Sequence, residues 1–158
     1  MARARDVPGL DCEERFGQVA ARVVEVRVAE VFEHSDGVLD TGDIEKLHDM
    51  RVATRRLRAA LEVFEPCFPT KRHRKALKRV KALADALGER RDRDVAIEFL
   101  ASFASEATEA DRPAVEALIE GLREEQRQAN DDLAPYVQRK RLKKLRRRLG
   151  KLVKAAKT

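Results

Sequence analysis

Apolar residues recur at steps of three and four along almost the whole chain, the period of a helix with one buried face. No alternating run is long enough to read as a strand. The spacing predicts a first helix over 11–33, with Val19, Val23, Val26 and Ala29 at those steps and Val24 and Val28 widening the stripe. Residues 34–42, rich in Gly, Asp and Ser, read as a loop. Asp43 reads as the N-cap of a second helix that runs to about residue 64 and stops at Pro66. Pro69-Thr70 opens a third, expected to end at Gly88 as a glycine just past the last turn. A fourth starts near Asp92 and carries Val95, Ile97, Phe99, Leu100 and Phe103. Asp111 and Pro113 mark the start of a fifth, expected to reach Leu133 ahead of Pro135. The last holds Leu142, Leu145, Leu149, Leu152, Val153 and Ala156, a heptad-like seam flanked by Lys and Arg. The expected fold is all-α, an antiparallel helical bundle of about six helices, with residues 1–10 as an N-terminal tail and 11–158 as one domain.

Composition narrows the function classes. A chain of 158 residues has room for one core. Charged residues make up 39% of it, against about 25% in ordinary domains. Aromatics reach 4% with no Trp, which argues against stacking platforms as the main chemistry. No stretch approaches the roughly 18 apolar residues of a spanning helix, and no apolar run follows the N-terminal arginines, so no signal peptide is expected. Cys12 and Cys67 have no CxxC spacing and are expected to be reduced thiols of a cytoplasmic protein.

The net charge of +6 conceals a segregation. Residues 46–93 hold 15 Lys/Arg against 6 Asp/Glu, and residues 137–158 hold 11 Lys/Arg and no acid. The remaining segments are net acidic. Such separation points to an anionic target. On a helical wheel with His48 at zero, Arg51, Arg55 and Arg58 fall at about −60°, −20° and −80°. Met50, Ala53, Leu57, Ala60, Leu61 and Phe64 lie opposite. With Lys71 at zero, Arg74, Lys75, Lys78 and Lys81 share one face of the next helix, opposite Leu77, Val80, Leu83, Ala84 and Leu87. A charged stripe opposite an apolar one is ordinary for a surface helix. The single sign is not, because like charges at i, i+4 destabilise a helix unless an anion neutralises them. Arginine forks grip phosphate oxygens in pairs, and Lys adds a movable charge. Antiparallel packing across the short Pro66–Pro69 connection would let both stripes flank one groove.

The string His48-Asp-Met-Arg51-Val-Ala-Thr-Arg55-Arg56-Leu57-Arg58 resembles the signature of the CHAD family, the conserved-histidine α-helical domain. Leu87-Gly88-Glu-Arg90-Arg91-Asp92-Arg93-Asp94-Val95 resembles a second motif of that family, in the right order. The resemblance implies a helical domain that binds inorganic polyphosphate non-catalytically, without a cofactor, in a basic groove. By position, it implies that His48, Arg51, Arg55, Arg56 and Arg58 form one basic helix of that groove. Lys71, Arg74, Lys75, Lys78, Arg79 and Lys81 would form the other, with Arg91 beyond them. Asp92 or Asp94 would cap the fourth helix or hold groove arginines extended. It further implies association with triphosphate-tunnel (CYTH) proteins or polyphosphate granules. Family members usually have two similar helical halves, so this chain resembles one half, and a homodimer is expected to complete the pseudo-two-fold.

Three other readings stand beside it. Binding of RNA or DNA backbones by the basic C-terminal helix is the main alternative, with few aromatics to stack bases. A membrane-surface helix at the C-terminus lacks Trp or Phe anchors. A phosphohydrolase built on His48-Asp49 fails on geometry, since adjacent residues diverge by about 100° on a helix, and no other catalytic motif is present.

Overall fold

The computed structural model describes residues 3–156, so residues 1–2 and 157–158 of the two expected segments lie outside the described residues. Five α-helices follow in order: α1 Phe16–Glu33, α2 Ile44–Val63, α3 Thr70–Glu106, α4 Arg112–Val137 and α5 Arg139–Val153. A 3₁₀ turn, Glu65–Cys67, joins α2 to α3. The described residues are helical without strands, as the period of the apolar positions requires.

The third and fourth expected helices are one. Gly88 does not end α3, which runs unbroken for 37 residues, about 55 Å at helical rise. Two ion pairs at i, i+4 lie just past the glycine: Arg93–Glu89 at 2.6 Å and Arg90–Asp94 at 2.9 Å. They hold the backbone helical where a glycine alone would favour release. The cap expected of Asp92 or Asp94 therefore does not exist, and Asp94 pairs with Arg90 instead. Pro135 likewise fails to stop α4, which continues to Val137. A proline this near the end removes only one of the last helical hydrogen bonds. α1 starts at Phe16 rather than near residue 11, and its buried stripe is Gly17, Ala20, Val24, Val28 and Val31. Val19, Val23 and Val26 flank that stripe, half-buried.

α1 packs on α2 and α5, α2 on α3, and α3 along α4, while α5 lies against α1, α3 and α4. The core joins Ala20, Val24 and Val31 of α1, Leu47, Met50, Leu57 and Leu61 of α2, and Ala76, Val80, Leu83 and Leu87 of α3. Leu142, Leu145, Leu149 and Leu152 of α5 close it. The heptad-like seam is thus a core face within the domain. Arg146 sits over the Phe32 ring, 5.4 Å from its centroid, and ties the outer flank of α5 to α1.

Two side-chain clusters hold the elements in place. At the turn between α2 and α3, buried His73 donates from Nε2 to the Leu61 carbonyl at 2.7 Å and stacks on Phe68. Beyond it, Asp94 accepts from Gln126 of α4 at 2.6 Å, Arg90 donates to Asn130, and Asn130 donates to the Leu39 carbonyl at 3.0 Å. This chain of polar contacts pins α4 and the 34–43 loop to α3. In that loop Gly37 has φ +73°, a left-handed conformation that favours glycine, and a Cβ there would also have to push aside the Lys46 side chain. The N-terminal segment is strapped to α1, since the Arg5 amide donates to buried Glu30 at 2.5 Å and Arg27 returns to the Arg5 carbonyl at 2.8 Å. Arg5 is half exposed and paired with Glu33. No helix of the described residues is long and apolar enough to cross a membrane.

Candidate anion-binding surface

α2 and α3 run antiparallel, with Leu61 opposite His73 at the turn and Arg51 opposite Asp92 at the far end. Because Leu47, Met50, Leu57 and Leu61 are all buried, the wheel leaves the His48–Arg58 stripe no place but the outer flank. Arg55 is exposed there, and His48, Arg51, Arg56 and Arg58 are partly buried. His48 keeps its Nδ1 buried without a hydrogen-bond partner.

Arg51, Arg55 and Arg58 line a cleft of about 340 Å³ between α2 and α3. The facing wall is Ala84, Asp85, Gly88, Glu89 and Asp92. The arginines therefore look across at carboxylates, not at the α3 lysines, which lie nearer the turn. Gly88, with no Cβ, leaves that wall low at its centre. Glu62 links the two helices further along, 3.2 Å from Arg58 Nε and 3.0 Å from Lys81 Nζ. Lys81, and then Arg58, hold the Glu62 carboxyl below the usual carboxylate range.

The second expected stripe divides between the flanks of α3. Lys71, Arg74, Lys75, Lys78 and Arg79 are all exposed. Of these, Lys75, Lys78 and Arg79 line a different cleft, about 470 Å³, whose other wall is Arg141, Leu145 and Arg148 of α5 with Tyr136 of α4 at one end. A neighbouring cleft of about 520 Å³ shares Lys75 and Arg148 and adds Arg72, Lys151 and Lys154. No carboxylate lines either one. Arg72 and the α5 cations lay outside the groove expected from sequence. Their signal was present: Arg72, Lys75 and Arg79 are spaced i, i+3, i+7, and the α5 segment has no acid to neutralise it.

Arg91 is partly buried, with Nη1 enclosed and without a hydrogen-bond partner, and it lines neither cleft. In its motif, Leu87, Arg90 and Asp94 are buried, Arg93 pairs with Glu89 and reaches Glu125 at 3.4 Å, and Gly88, Glu89 and Asp92 open to the α2–α3 cleft. The motif thus joins helices through Arg90, Arg93 and Asp94 and walls the α2–α3 cleft with Gly88, Glu89 and Asp92. Among the described residues no group of three or more His, Cys, Asp or Glu is placed to hold a metal ion.

No curated protein and no solved structure matches the chain. The family model of the CHAD domain matches residues 22–158, from within α1 through α5 and so across both basic helices, their connecting turn and the buried Arg90–Asp94 pair. With that match covering all but the N-terminal segment, the chain belongs to the CHAD domain family.

Proposed function

We propose that this domain binds inorganic polyphosphate without catalysing its turnover, and that the exposed basic flank of α2 and α3 is its binding surface. CHAD domains are associated with polyphosphate binding, and the observation that carries the reading here is the unneutralised cation density. Arg51, Arg55, Lys71, Arg74, Lys75 and Lys78 all sit on the solvent side of two helices whose opposite faces are buried. None of these six has a carboxylate within ion-pair distance among the described residues. A flexible polymer with one charge per repeat can follow such a surface, each bound phosphate releasing counterions.

Nucleic acid carries the same backbone charge together with bases, and among the residues lining the basic clefts Tyr136 is the one aromatic on which to stack them. The deciding experiment is competition at matched phosphate concentration. Polyphosphate should displace single-stranded RNA, and affinity should fall steeply as salt rises from 50 to 200 mM, the range over which phosphate contacts are commonly resolved. Retention of RNA against excess polyphosphate overturns the reading.

The proposed cytoplasmic, granule-associated setting and a CYTH partner follow from family resemblance. The proposed homodimer has a specific face available. Val95, Phe99 and Phe103, at i, i+4, i+8, are 47%, 68% and 52% exposed on α3, with Leu118 of α4 at 61%. An exposed apolar stripe like this is a usual mark of association. Phe99→Asp is expected to convert dimer to monomer in light scattering without loss of helicity, and a wild-type chain that is monomeric at every concentration removes the dimer from the proposal.

A further inference from the structure

The α5 helix carries the densest charge in the chain, and the α2–α3 surface does not use it. Its leucine seam is buried in the core, and Arg146 over Phe32 fixes its outer flank. The helix is therefore a rigid wall and not a loose basic tail. Arg141, Arg148 and Lys151, spaced i, i+7, i+10, look across at Arg72, Lys75 and Arg79 of α3. The two cavities between these walls share Lys75 and Arg148 and so lie end to end along the same pair of helices, as two stretches of one trough. None of the six cations is in an ion pair among the described residues. Cations facing each other across a cleft repel, and a desolvating cleft weakens screening between them. A bound anion reverses the sign of that interaction.

We propose that the α3–α5 trough is a second phosphate-binding track, on the other side of α3 from the Arg51–Arg55 cleft and sharing Lys75 and Lys78 with the surface proposed above, and that it takes a slender condensed-phosphate chain. The proposal rests on polyphosphate being the ligand of this domain. Shape selects within the polyanions. A trough enclosed on two sides by helices admits a bare phosphate chain, whereas a duplex presents grooves to a protruding helix and not the reverse. Leu83 and Leu145 floor one end, so the cations work in a locally apolar setting where charge-assisted hydrogen bonds are strong. With one track on either side of α3, a long chain that reaches both gains effective concentration for its second contact.

Calorimetric titration with tripolyphosphate and with long-chain polyphosphate tests this, using Arg141→Glu with Lys151→Glu for the trough and Arg51→Glu with Arg55→Glu for the α2 flank. Arg141 and Lys151 are exposed, and far-UV circular dichroism checks that each variant keeps its helicity. Arg141→Gln with Lys151→Gln provides a milder pair if charge reversal disturbs folding. The expected result is two tripolyphosphate sites on the wild type and one on either variant. Long-chain affinity should drop at least about tenfold in the trough variant, with a shallower salt slope. Wild-type protein that binds no polyphosphate overturns the functional reading itself. Wild-type binding that the folded trough variants leave unchanged overturns the second track alone. Preferential loss of RNA binding, and not of polyphosphate binding, in those variants overturns the ligand assigned to it.

Discussion

Arg51→Glu together with Arg55→Glu is expected to lower polyphosphate affinity at least about a hundredfold while leaving the helical content unchanged. Each arginine contributes charge-assisted hydrogen bonds, worth about 1.5–3 kcal/mol apiece, and two such losses exceed the ~2.7 kcal/mol that corresponds to a hundredfold change. Reversal adds repulsion from two new carboxylates on a flank where Asp85, Glu89 and Asp92 already face the arginines. These two positions suit the test because neither holds a structural partner. Arg58, by contrast, pairs with Glu62, which also binds Lys81 of α3, so its replacement would disturb the joint between helices as well. Titration at two salt concentrations, with circular dichroism on the same samples, checks the outcome. Unchanged affinity in a folded double variant places the ligand elsewhere.

The largest stability effect is expected at Asp94. Asp94→Ala leaves the Arg90 guanidinium buried with Asn130 as its remaining side-chain partner, and removing one member of a buried pair costs about 3–5 kcal/mol. For a domain of this size that lowers the melting temperature by roughly 10 °C. Arg90→Met with Asp94→Leu should recover much of the loss, because both charges leave together and the volumes stay similar. Arg90 Nη2 and Asp94 Oδ2 are buried without partners, so the pair is not optimised for stability alone. Its geometric role is visible: it joins α3 to α4 through Gln126 and to the 34–43 loop through Asn130. Thermal melts of the three proteins decide this, and a single variant as stable as the wild type would falsify it.

Both predictions bear on how far the chain could be understood before folding. The wheel positions of His48, Arg51, Arg55 and Arg58 were legible because helical period and apolar content are local properties. The buried Leu47, Met50, Leu57 and Leu61 then leave the basic side no alternative. The same locality makes Gly88 look like a helix end. A glycine signals an end by backbone entropy, while the contacts of Arg90 and Asp94 that keep α3 intact reach Gln126 and Asn130 on another helix. Burial of those two charged residues had no sequence signal, since Arg and Asp are ordinarily exposed unless paired.

The chain by itself determined an all-helical domain, its segregated charge, and the face on which each basic stripe would lie. Each depends on residues within a few turns of one another. Only the tertiary structure decided which walls face each other: Arg51 and Arg55 across from Asp85 and Asp92, and Lys75 and Arg79 across from Arg141 and Arg148. Those pairings join segments separated by up to about 70 positions, and they follow from how the buried faces of the five helices fit together. Charge is written residue by residue, but a groove exists only between two helices that packing has brought side by side.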